Sequence, residues 1–272
     1  MNKRYLIIPI FLPFEGCENR CIYCNQRALH PNVNPPTMKL IKETVEKYIS
    51  TFKGKRESAQ IEVAFYGGTF TSIRIDKQEY LLNILREFIL ERKIDGIRFS
   101  TRPDKINSST LNLYKEYGVT TIEIGAQSLK EEVLKAINRN HTTKDVVDAI
   151  TLLKLNKFKT CIHLMFGLPY STIDDDVFSI RETIRLKPDF VRIHPTLVLK
   201  GTELEILYKS GFYKPLSLDE SARIIRFALS EFSKAGIKVI RVGLHNDENL
   251  ISKDTFIAGP FHPSLRQIAT KD

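Results

Sequence analysis

Short apolar runs and amphipathic stripes alternate along most of the chain. Seven apolar runs predict buried strands, at residues 5–12, 61–65, 96–99, 120–124, 160–166, 190–193 and 239–243. Stripes with apolar residues every three or four positions predict helices between them, near residues 37–52, 76–88, 108–117, 131–137, 143–157, 173–186 and 217–232. Strands that alternate with helices indicate a parallel sheet with right-handed crossovers. About seven such units favour a complete or partial barrel over an open sheet.

Individual helix starts and buried faces also follow from the pattern. The pairs Asp76/Glu79 and Ser217/Glu220 resemble capping boxes and predict that a helix begins at each. The first two stripes predict buried faces formed by Ile41, Val45, Tyr48 and Phe52, and by Tyr80, Ile84 and Phe88.

The composition is that of an ordinary globular protein, with 42% hydrophobic and 27% charged residues. Lys3 and Arg4 followed by apolar residues superficially resemble a secretion signal, but Pro9 and Pro13 interrupt the apolar part and no small-residue cleavage site follows. No apolar run approaches the length needed to cross a bilayer. The chain is therefore expected to be soluble and cytoplasmic, with no membrane partner.

The charge balance is basic, with a formal net charge of +9 and a pI near 9.3. This balance favours an acidic partner, of which nucleic acid is the obvious one. The Lys and Arg residues are spread along the chain without a dense block, so the charge by itself identifies no binding surface.

Three of the four cysteines, Cys17, Cys21 and Cys24, fall on the loop after the first predicted strand. A loop this short brings the thiols to one centre, and soft thiolates suit an iron–sulfur cluster or zinc. A structural zinc needs four protein ligands, and no fourth cysteine or histidine lies at a finger-like distance. A cubane cluster has four irons, so three thiolates leave one iron open. Zinc, a disulfide pair with a spare thiol, and merely buried cysteines remain alternatives.

Polar and glycine-rich segments follow five other predicted strands, at residues 67–69, 100–102, 127–128, 167–169 and 194–196. In a (β/α) barrel the carboxyl ends of the strands form one mouth, where active sites are built. The cysteine loop is expected to share that mouth with all five segments.

The cysteine spacing, with Tyr23 directly before Cys24, resembles the cluster motif of the radical S-adenosylmethionine (SAM) enzymes. The resemblance implies a [4Fe-4S] cluster bound by Cys17, Cys21 and Cys24. It implies that the amino and carboxylate groups of SAM chelate the open iron. It further implies that the reduced cluster cleaves SAM to methionine and a 5′-deoxyadenosyl radical, which abstracts hydrogen from a substrate. A flavodoxin- or ferredoxin-like electron donor is expected as a partner.

The resemblance also implies which residues contact SAM. Gly67-Gly68-Thr69 resembles the glycine-glycine-acid segment of the family, with Thr69 in place of the acid. Ser100 and Arg102 stand where the family contacts the ribose and carboxylate, although Arg102 could instead pair with Asp104. The full set of expected cofactor-binding residues is Tyr23, Gly67, Gly68, Thr69, Ser100, Arg102, Gln127, Arg139 and Met165, the last packing on the adenine.

Inward-facing polar residues are also expected in the barrel strands. Glu123 lies within a strand at the parity of Gly125, and Cys161 and His163 share one face of the next strand. Cys161 is expected to be a buried small hydrophobe rather than a ligand. His163 and His194 are either satisfied interior histidines or substrate contacts. No catalytic residue is assigned.

The chain also resembles the radical SAM domain of the Elongator catalytic subunit, over about residues 5–265. The segments that carry this resemblance are residues 65–70, 100–104, 123–128, 138–141 and 195–202. The acetyltransferase domain of Elongator-type enzymes is not in the sequence, so the chain is expected to belong to a stand-alone branch. The resemblance and the basic charge imply modification of transfer RNA or a related substrate. Two alternatives stay open: the same chemistry on a small molecule, as in oxygen-independent coproporphyrinogen oxidases, or a non-catalytic iron–sulfur or zinc module.

The expected architecture is therefore α/β, a partial TIM-like (β/α)6 radical SAM barrel. The core barrel is predicted to cover residues 1–245. Residues 246–272 are predicted to form a short C-terminal extension on or near the barrel mouth.

Overall fold

Parallel strands curl into a half-barrel in the computed structural model, which describes residues 4–29, 35–53, 56–244 and 255–271. The strands are β1 (Arg4–Leu12), β2 (Ala59–Gly67), β3 (Gly96–Thr101), β4 (Val119–Gln127), β5 (Lys159–Phe166), β6 (Phe190–Pro195), β7 (Val198–Leu199), β8 (Lys238–Val242) and β9 (Phe256–Ala258). The main sheet has the order β1-β2-β3-β4-β5-β6-β8, and each neighbouring pair is parallel. The prediction of a partial barrel is confirmed. The described sheet has seven strands, whereas the expected (β/α)6 architecture has six.

The helices between these strands cover the outside of the sheet. They are α1 (Gln26–Leu29), α2 (Met38–Ser50), α3 (Ile75–Leu90), α4 (Ser108–Glu116), α5 (Glu131–Ala136), α6 (Thr143–Leu155), α7 (Ile173–Leu186), α8 (Glu203–Lys209), α9 (Leu218–Lys234) and α10 (Leu265–Thr270). The sequence pattern did not predict α1, β7, α8, β9 or α10, which span two to seven residues and show no clear hydrophobic period.

One of the two predicted capping boxes is present. Ser217 and Glu220 form a reciprocal capping box at the start of α9. The box predicted at Asp76 is wrong, because α3 begins at Ile75 with Arg74 at the N-cap. Asp76 lies in the first turn instead, where its carboxylate accepts from Arg74 Nη2 at 2.8 Å and interacts favourably with the helix dipole.

The predicted burial of Tyr48 and Tyr80 is also wrong, since these residues are 44% and 47% exposed. The buried row of α2 runs through Ile41 and Val45, and Tyr48 lies on its flank. Tyr80 lines an open groove between α2 and α3. Spacings of three and four residues admit two adjacent rows on a helix, and packing decides which one faces the core.

The curl of the sheet is visible at its amino-terminal end, where Tyr5 of β1 reaches the far strands. Its hydroxyl accepts from Lys159 Nζ of β5 at 2.6 Å, and its ring lies edge-on to Phe190 of β6 with centroids 5.4 Å apart. Lys238 Nζ of β8, the opposite edge strand, lies 5.5 Å from the Tyr5 ring centroid. These contacts close the bottom of the half-barrel, so the open end is the one at which the strands terminate, which we call the mouth.

The carboxyl-terminal part packs against elements that follow β6. β9 pairs antiparallel with β7, and Phe256 and Phe261 pack on Leu197 and Leu199. α10 lies along α9, where Arg226 Nε donates to the Ala269 carbonyl at 2.9 Å. The predicted division near residue 245 stays a prediction, because residues 246–254 of the proposed extension lie outside the described residues. Within the described ranges, no helix is both long and apolar enough to cross a bilayer.

Candidate active site

The cysteine loop follows β1 and packs tightly on the residues that follow β2. Gly16 has φ +72°, and a Cβ at this position would lie 2.2 Å from the Thr69 carbonyl oxygen. A Cβ on Gly68 would lie 1.9 Å from the Glu15 carbonyl oxygen, and the Thr69 N–H donates to that oxygen at 2.7 Å. Only glycine permits this approach of two backbones. Gly68 therefore holds the cysteine loop in place, a role that its predicted contact with SAM did not include.

Gln26, at the start of α1, ties the same two segments together. Its Oε1 accepts from the Phe14 N–H at 2.7 Å, and its Nε2 donates to the Gly67 carbonyl. The sequence analysis did not identify Gln26 as a functional residue. The only indication in the sequence was that Gln26 lies two residues after Cys24. With these bonds both ends of the cysteine loop are fixed to the sheet.

Hydrogen-bond partners surround the thiols of the loop. Cys17, Cys21 and Cys24 are all free and half-buried. Thr69 Oγ1 lies 3.5 Å from Cys17 Sγ, and Arg139 Nη1 donates to Cys21 Sγ at 3.4 Å. Burial and the other two thiols raise the pKa of Cys24 to about 12. Metal binding deprotonates such a thiol, because the metal ion competes with the proton for the thiolate.

The number of available ligands distinguishes a cluster from a structural zinc ion. A structural zinc ion takes four protein ligands, usually cysteine and histidine. The loop supplies three thiols, and the side chains bonded to them, Thr69 and Arg139, are not zinc ligands. Among the described residues, the compact group of potential metal ligands is Glu123, Cys161 and His163, which includes none of the loop thiols. Three thiols fit a cluster that leaves one iron open better than a structural zinc site.

Arg139 and Tyr23, two of the residues expected to contact the cofactor, both lie next to Cys21. Arg139 Nη2 also donates to the Gly125 carbonyl at the end of β4, so the guanidinium bridges the loop and the sheet. Burial and the neighbouring Cys21 raise the pKa of Tyr23, which keeps its hydroxyl neutral. Tyr23 packs with Met165 against a cluster of buried residues that includes Ile22 and Leu168. The structure thus brings Tyr23, Arg139 and Met165 together beside Cys21.

Ser100, Arg102 and Gln127 occupy other positions around the mouth. Ser100 lines a narrow cleft with Glu15, Tyr66 and Gly68. Arg102 is 7% exposed and donates to Asp104 through Nε at 2.9 Å and Nη2 at 2.8 Å. Arg102 thus pairs with Asp104, the alternative that the sequence left open. A ligand carboxylate has to share the Arg102 guanidinium with Asp104 or displace Asp104 from it.

Gln127 adopts an unusual backbone conformation, with φ +67°. Its side-chain nitrogen lies 3.0 Å from the position of a Cβ added to Gly125, so the amide folds back over that glycine. A larger residue at position 125 would displace both Gln127 and Arg139.

A buried ionic network fills the half-barrel beneath this site, centred on Glu123 of β4. Its two oxygens accept from Arg98 Nη1 at 2.7 Å, Arg192 Nε at 2.7 Å and the Tyr66 hydroxyl at 2.7 Å, and from the His163 ring. Burial alone raises the pKa of a carboxyl, but Arg192, His163 and Arg98 hold the pKa of Glu123 well below its usual range. The sequence placed Glu123 within a strand at the parity of Gly125 but gave no sign of its partners.

The Glu123–Cys161–His163 group has the composition of a metal site, but its surroundings oppose a cation. Both carboxylate oxygens of Glu123 are already bound by guanidinium groups, which would repel a metal ion. Cys161 is fully buried, as expected, and burial together with Glu123 raises its pKa. His163 is a satisfied interior histidine through its bond to Glu123.

His194 differs from His163 in its hydrogen bonding. Its Nδ1 is buried and has no hydrogen-bond partner among the described residues. Burial and the neighbouring His163 and Arg192 lower its pKa to about 3, so the ring is neutral. The ring centroids of His163 and His194 lie 6.0 Å apart on adjacent strands.

Comparison with known families and proteins extends the description. Residues 11–182 match the family described as the radical SAM superfamily, and residues 188–272 match the radical SAM C-terminal domain. The chain is 30% identical over 258 residues to a tRNA uridine(34) acetyltransferase of Methanocaldococcus infernus, covering 82% of this chain and 48% of that protein. It is 27% identical over 294 residues to human Elongator complex protein 3, covering 95% of this chain and 52% of that protein. The chain thus spans about half the length of the curated relatives it matches.

Solved structures show the same fold. The structure of M. infernus Elp3 with an N-terminal deletion superimposes with a TM-score of 0.76 at 24% identity, covering 99% of this chain and 62% of that one. Coproporphyrinogen III oxidase (HemN) from Escherichia coli superimposes with a TM-score of 0.58 at 18% identity, covering 86% of this chain and 53% of that one. At these identities the likeness concerns the fold and not the substrate.

Proposed function

The chain belongs to the radical SAM superfamily, whose enzymes use a [4Fe-4S] cluster and SAM, and we propose that Cys17, Cys21 and Cys24 bind three irons of such a cluster here. When bound, these cofactors supply the reductive cleavage of SAM to methionine and a 5′-deoxyadenosyl radical. The observation that carries the proposal is the set of three free, half-buried thiols on one loop that is fixed at the mouth of the half-barrel.

The residues around the loop have the tasks of binding, orienting and excluding water. Arg139 donates to Cys21 Sγ and so offsets part of the thiolate charge, while Gln26 and Gly68 fix the loop on the sheet. Tyr23 and Met165 contribute apolar surface beside Cys21. In a cofactor enzyme this positioning is the part of the work that belongs to the protein.

For SAM we propose contacts with the backbone of Gly67 and Gly68, the hydroxyls of Thr69 and Ser100, and the side chains of Arg102, Gln127, Arg139 and Met165. Their positions support this assignment, because all but Arg139 lie at or just after the carboxyl ends of strands, which meet at the mouth with the cysteine loop. Arg139 lies between α5 and α6 and reaches the same end of the sheet through its bond to the Gly125 carbonyl. Thr69 Oγ1 lies against Cys17 Sγ, which places its hydroxyl directly beside the first cluster ligand.

We further propose a transfer RNA or a related nucleic acid as the substrate, with an electron donor of the flavodoxin or ferredoxin kind and a location in the cytoplasm. The support is the similarity to proteins named tRNA uridine(34) acetyltransferase and Elongator complex protein 3, together with the net charge of +9. Because the chain spans about half of those relatives, their complete reaction is not assigned to it.

Anaerobic reconstitution tests the cluster and the reaction together. Wild-type protein should bind iron and sulfide and, with SAM and a reductant, release 5′-deoxyadenosine that is detected by chromatography. Cys24→Ala should lose most of its iron and all of the product. Cys161→Ala is the matched control, because that thiol lies outside the loop and should leave the iron content unchanged. Stoichiometric zinc bound by four protein ligands, or full iron content in Cys24→Ala, would contradict the proposal.

Binding to transfer RNA should be measured across a series of salt concentrations. A specific complex should bind transfer RNA more tightly than an arbitrary polyanion of equal length, with an affinity that falls steeply as salt rises. Equal affinity for both polymers would count against a transfer RNA substrate and leave the cluster assignment untouched.

A further inference from the structure

Around Glu123, the arginines that the structure describes outnumber the carboxylates. Three guanidinium groups, Arg98, Arg192 and Arg241, face two carboxylates, Glu62 and Glu123. Arg98 pairs with both carboxylates, and Arg192 pairs with Glu123. Among the described residues, these pairs leave the charge of Arg241 without a carboxylate.

Arg241 lies in β8, in register with Arg192 of the neighbouring strand. Its Nε donates to the Gly243 carbonyl at 3.3 Å and its Nη2 to the Leu244 carbonyl at 2.9 Å, so its described partners are uncharged. Burial and the nearby Arg192 lower the pKa of Arg241, which shows that its surroundings disfavour a positive charge. An anion arriving at this position would relieve that penalty.

His194 adds a second, independent observation at the same place. It lies two residues beyond Arg192 in β6 and therefore on the same face of the strand, nearer the mouth. Its Nδ1 is buried without a hydrogen-bond partner among the described residues. Buried polar atoms in proteins are almost always paired, so an unpaired nitrogen close to an arginine without a carboxylate partner is open to a bond from a ligand.

We propose that Arg241 and His194 form a binding subsite for an oxyanion, a phosphate or a carboxylate, carried by the substrate. The guanidinium supplies charge and a fork of donors, and the neutral imidazole supplies one further hydrogen bond. The subsite lies on the same face as Met165, whose Cα is in register with that of His194, and therefore opens toward the proposed cofactor site. That the anion belongs to the substrate rests on the proposed function, whereas anion binding at these residues does not.

Inorganic phosphate and acetate are suitable probes, titrated into the reconstituted protein at constant ionic strength maintained with chloride. Calorimetry should show saturable binding of at least one of them. Binding should weaken roughly tenfold or more in Arg241→Gln and should be partly retained in Arg241→Lys, which keeps the charge but loses the fork. Arg223→Gln, which removes an exposed arginine on α9, is the matched control and should bind as the wild type does.

The outcomes separate the two sources of the anion. Preference for phosphate assigns a nucleotide phosphate to the subsite, and preference for acetate assigns a carboxylate. If neither probe binds saturably above chloride, or if Arg241→Gln binds as tightly as wild type, the subsite is refuted. Should Arg241→Gln fail to fold, Arg241→Lys and His194→Phe carry the same test. Production of 5′-deoxyadenosine by the wild type is scored separately, so anion binding without SAM cleavage would overturn the proposed function and leave the subsite standing.

Discussion

Replacing Glu123 by glutamine should destabilise the fold strongly. The carboxylate and Arg98 are both fully buried, and the side chain of Arg192 is 12% exposed. Both oxygens of Glu123 accept from N–H donors, so the NH2 group of a glutamine would face a donor in either orientation. Removing one partner of a buried ion pair costs about 3–5 kcal/mol.

That cost is a large part of the stability of an ordinary protein, which is about 5–15 kcal/mol. We expect Glu123→Gln to lower the melting temperature by roughly 6–20 °C. Urea unfolding followed by circular dichroism should show a lower midpoint with an unchanged slope. Glu87→Gln, which breaks the exposed pair with Lys42, is the matched control and should leave the midpoint unchanged.

The pH dependence gives a second readout of the same residue. Because the pKa of folded Glu123 lies well below its usual value, the carboxylate contributes stability above the unfolded pKa of about 4.3 and loses it as pH falls toward the folded pKa. Glu123→Gln should therefore lack part of the acid destabilisation seen in the wild type. A variant as stable as the wild type at neutral pH would refute the importance of this network.

Two further predictions concern single residues near the mouth. Gly68→Ala places a methyl group 1.9 Å from the Glu15 carbonyl oxygen and should cost roughly half or more of the iron bound on reconstitution. Gly211→Ala strains the backbone at φ +79° but places no atom within 4 Å of the new Cβ, so it should bind iron normally and controls for a general loss of stability. Burial and Arg139 lower the pKa of His141 to about 3. The unfolded chain takes up this proton near pH 6.5, so the free energy of unfolding should fall by about 1.4 kcal/mol per pH unit below that value. The fall should be less steep in His141→Gln. Equal dependence of the unfolding free energy on pH in the two proteins would contradict this assignment.

The hydrophobic pattern alone determined most of the architecture. The main strands lie where their apolar runs predicted, and helices of eight residues or more show a hydrophobic period in the sequence. The cysteine loop was equally predictable from the sequence, because three cysteines separated by three and then two intervening residues on one loop have few other uses. Elements such as α8 and β9 were not predictable, since a few residues show no period and form only because neighbouring residues hold them.

Tertiary structure decided how the inward-facing side chains are paired. Glu123, Arg98 and Arg192 come from three different strands, and no local pattern indicates that their charges meet. Nor does sequence indicate that Arg241 and His194 remain without carboxylate partners among the described residues. Local chemistry is encoded by spacing along the chain, whereas the energy of a buried charge depends on distances across the barrel, which exist only once the strands have curled together.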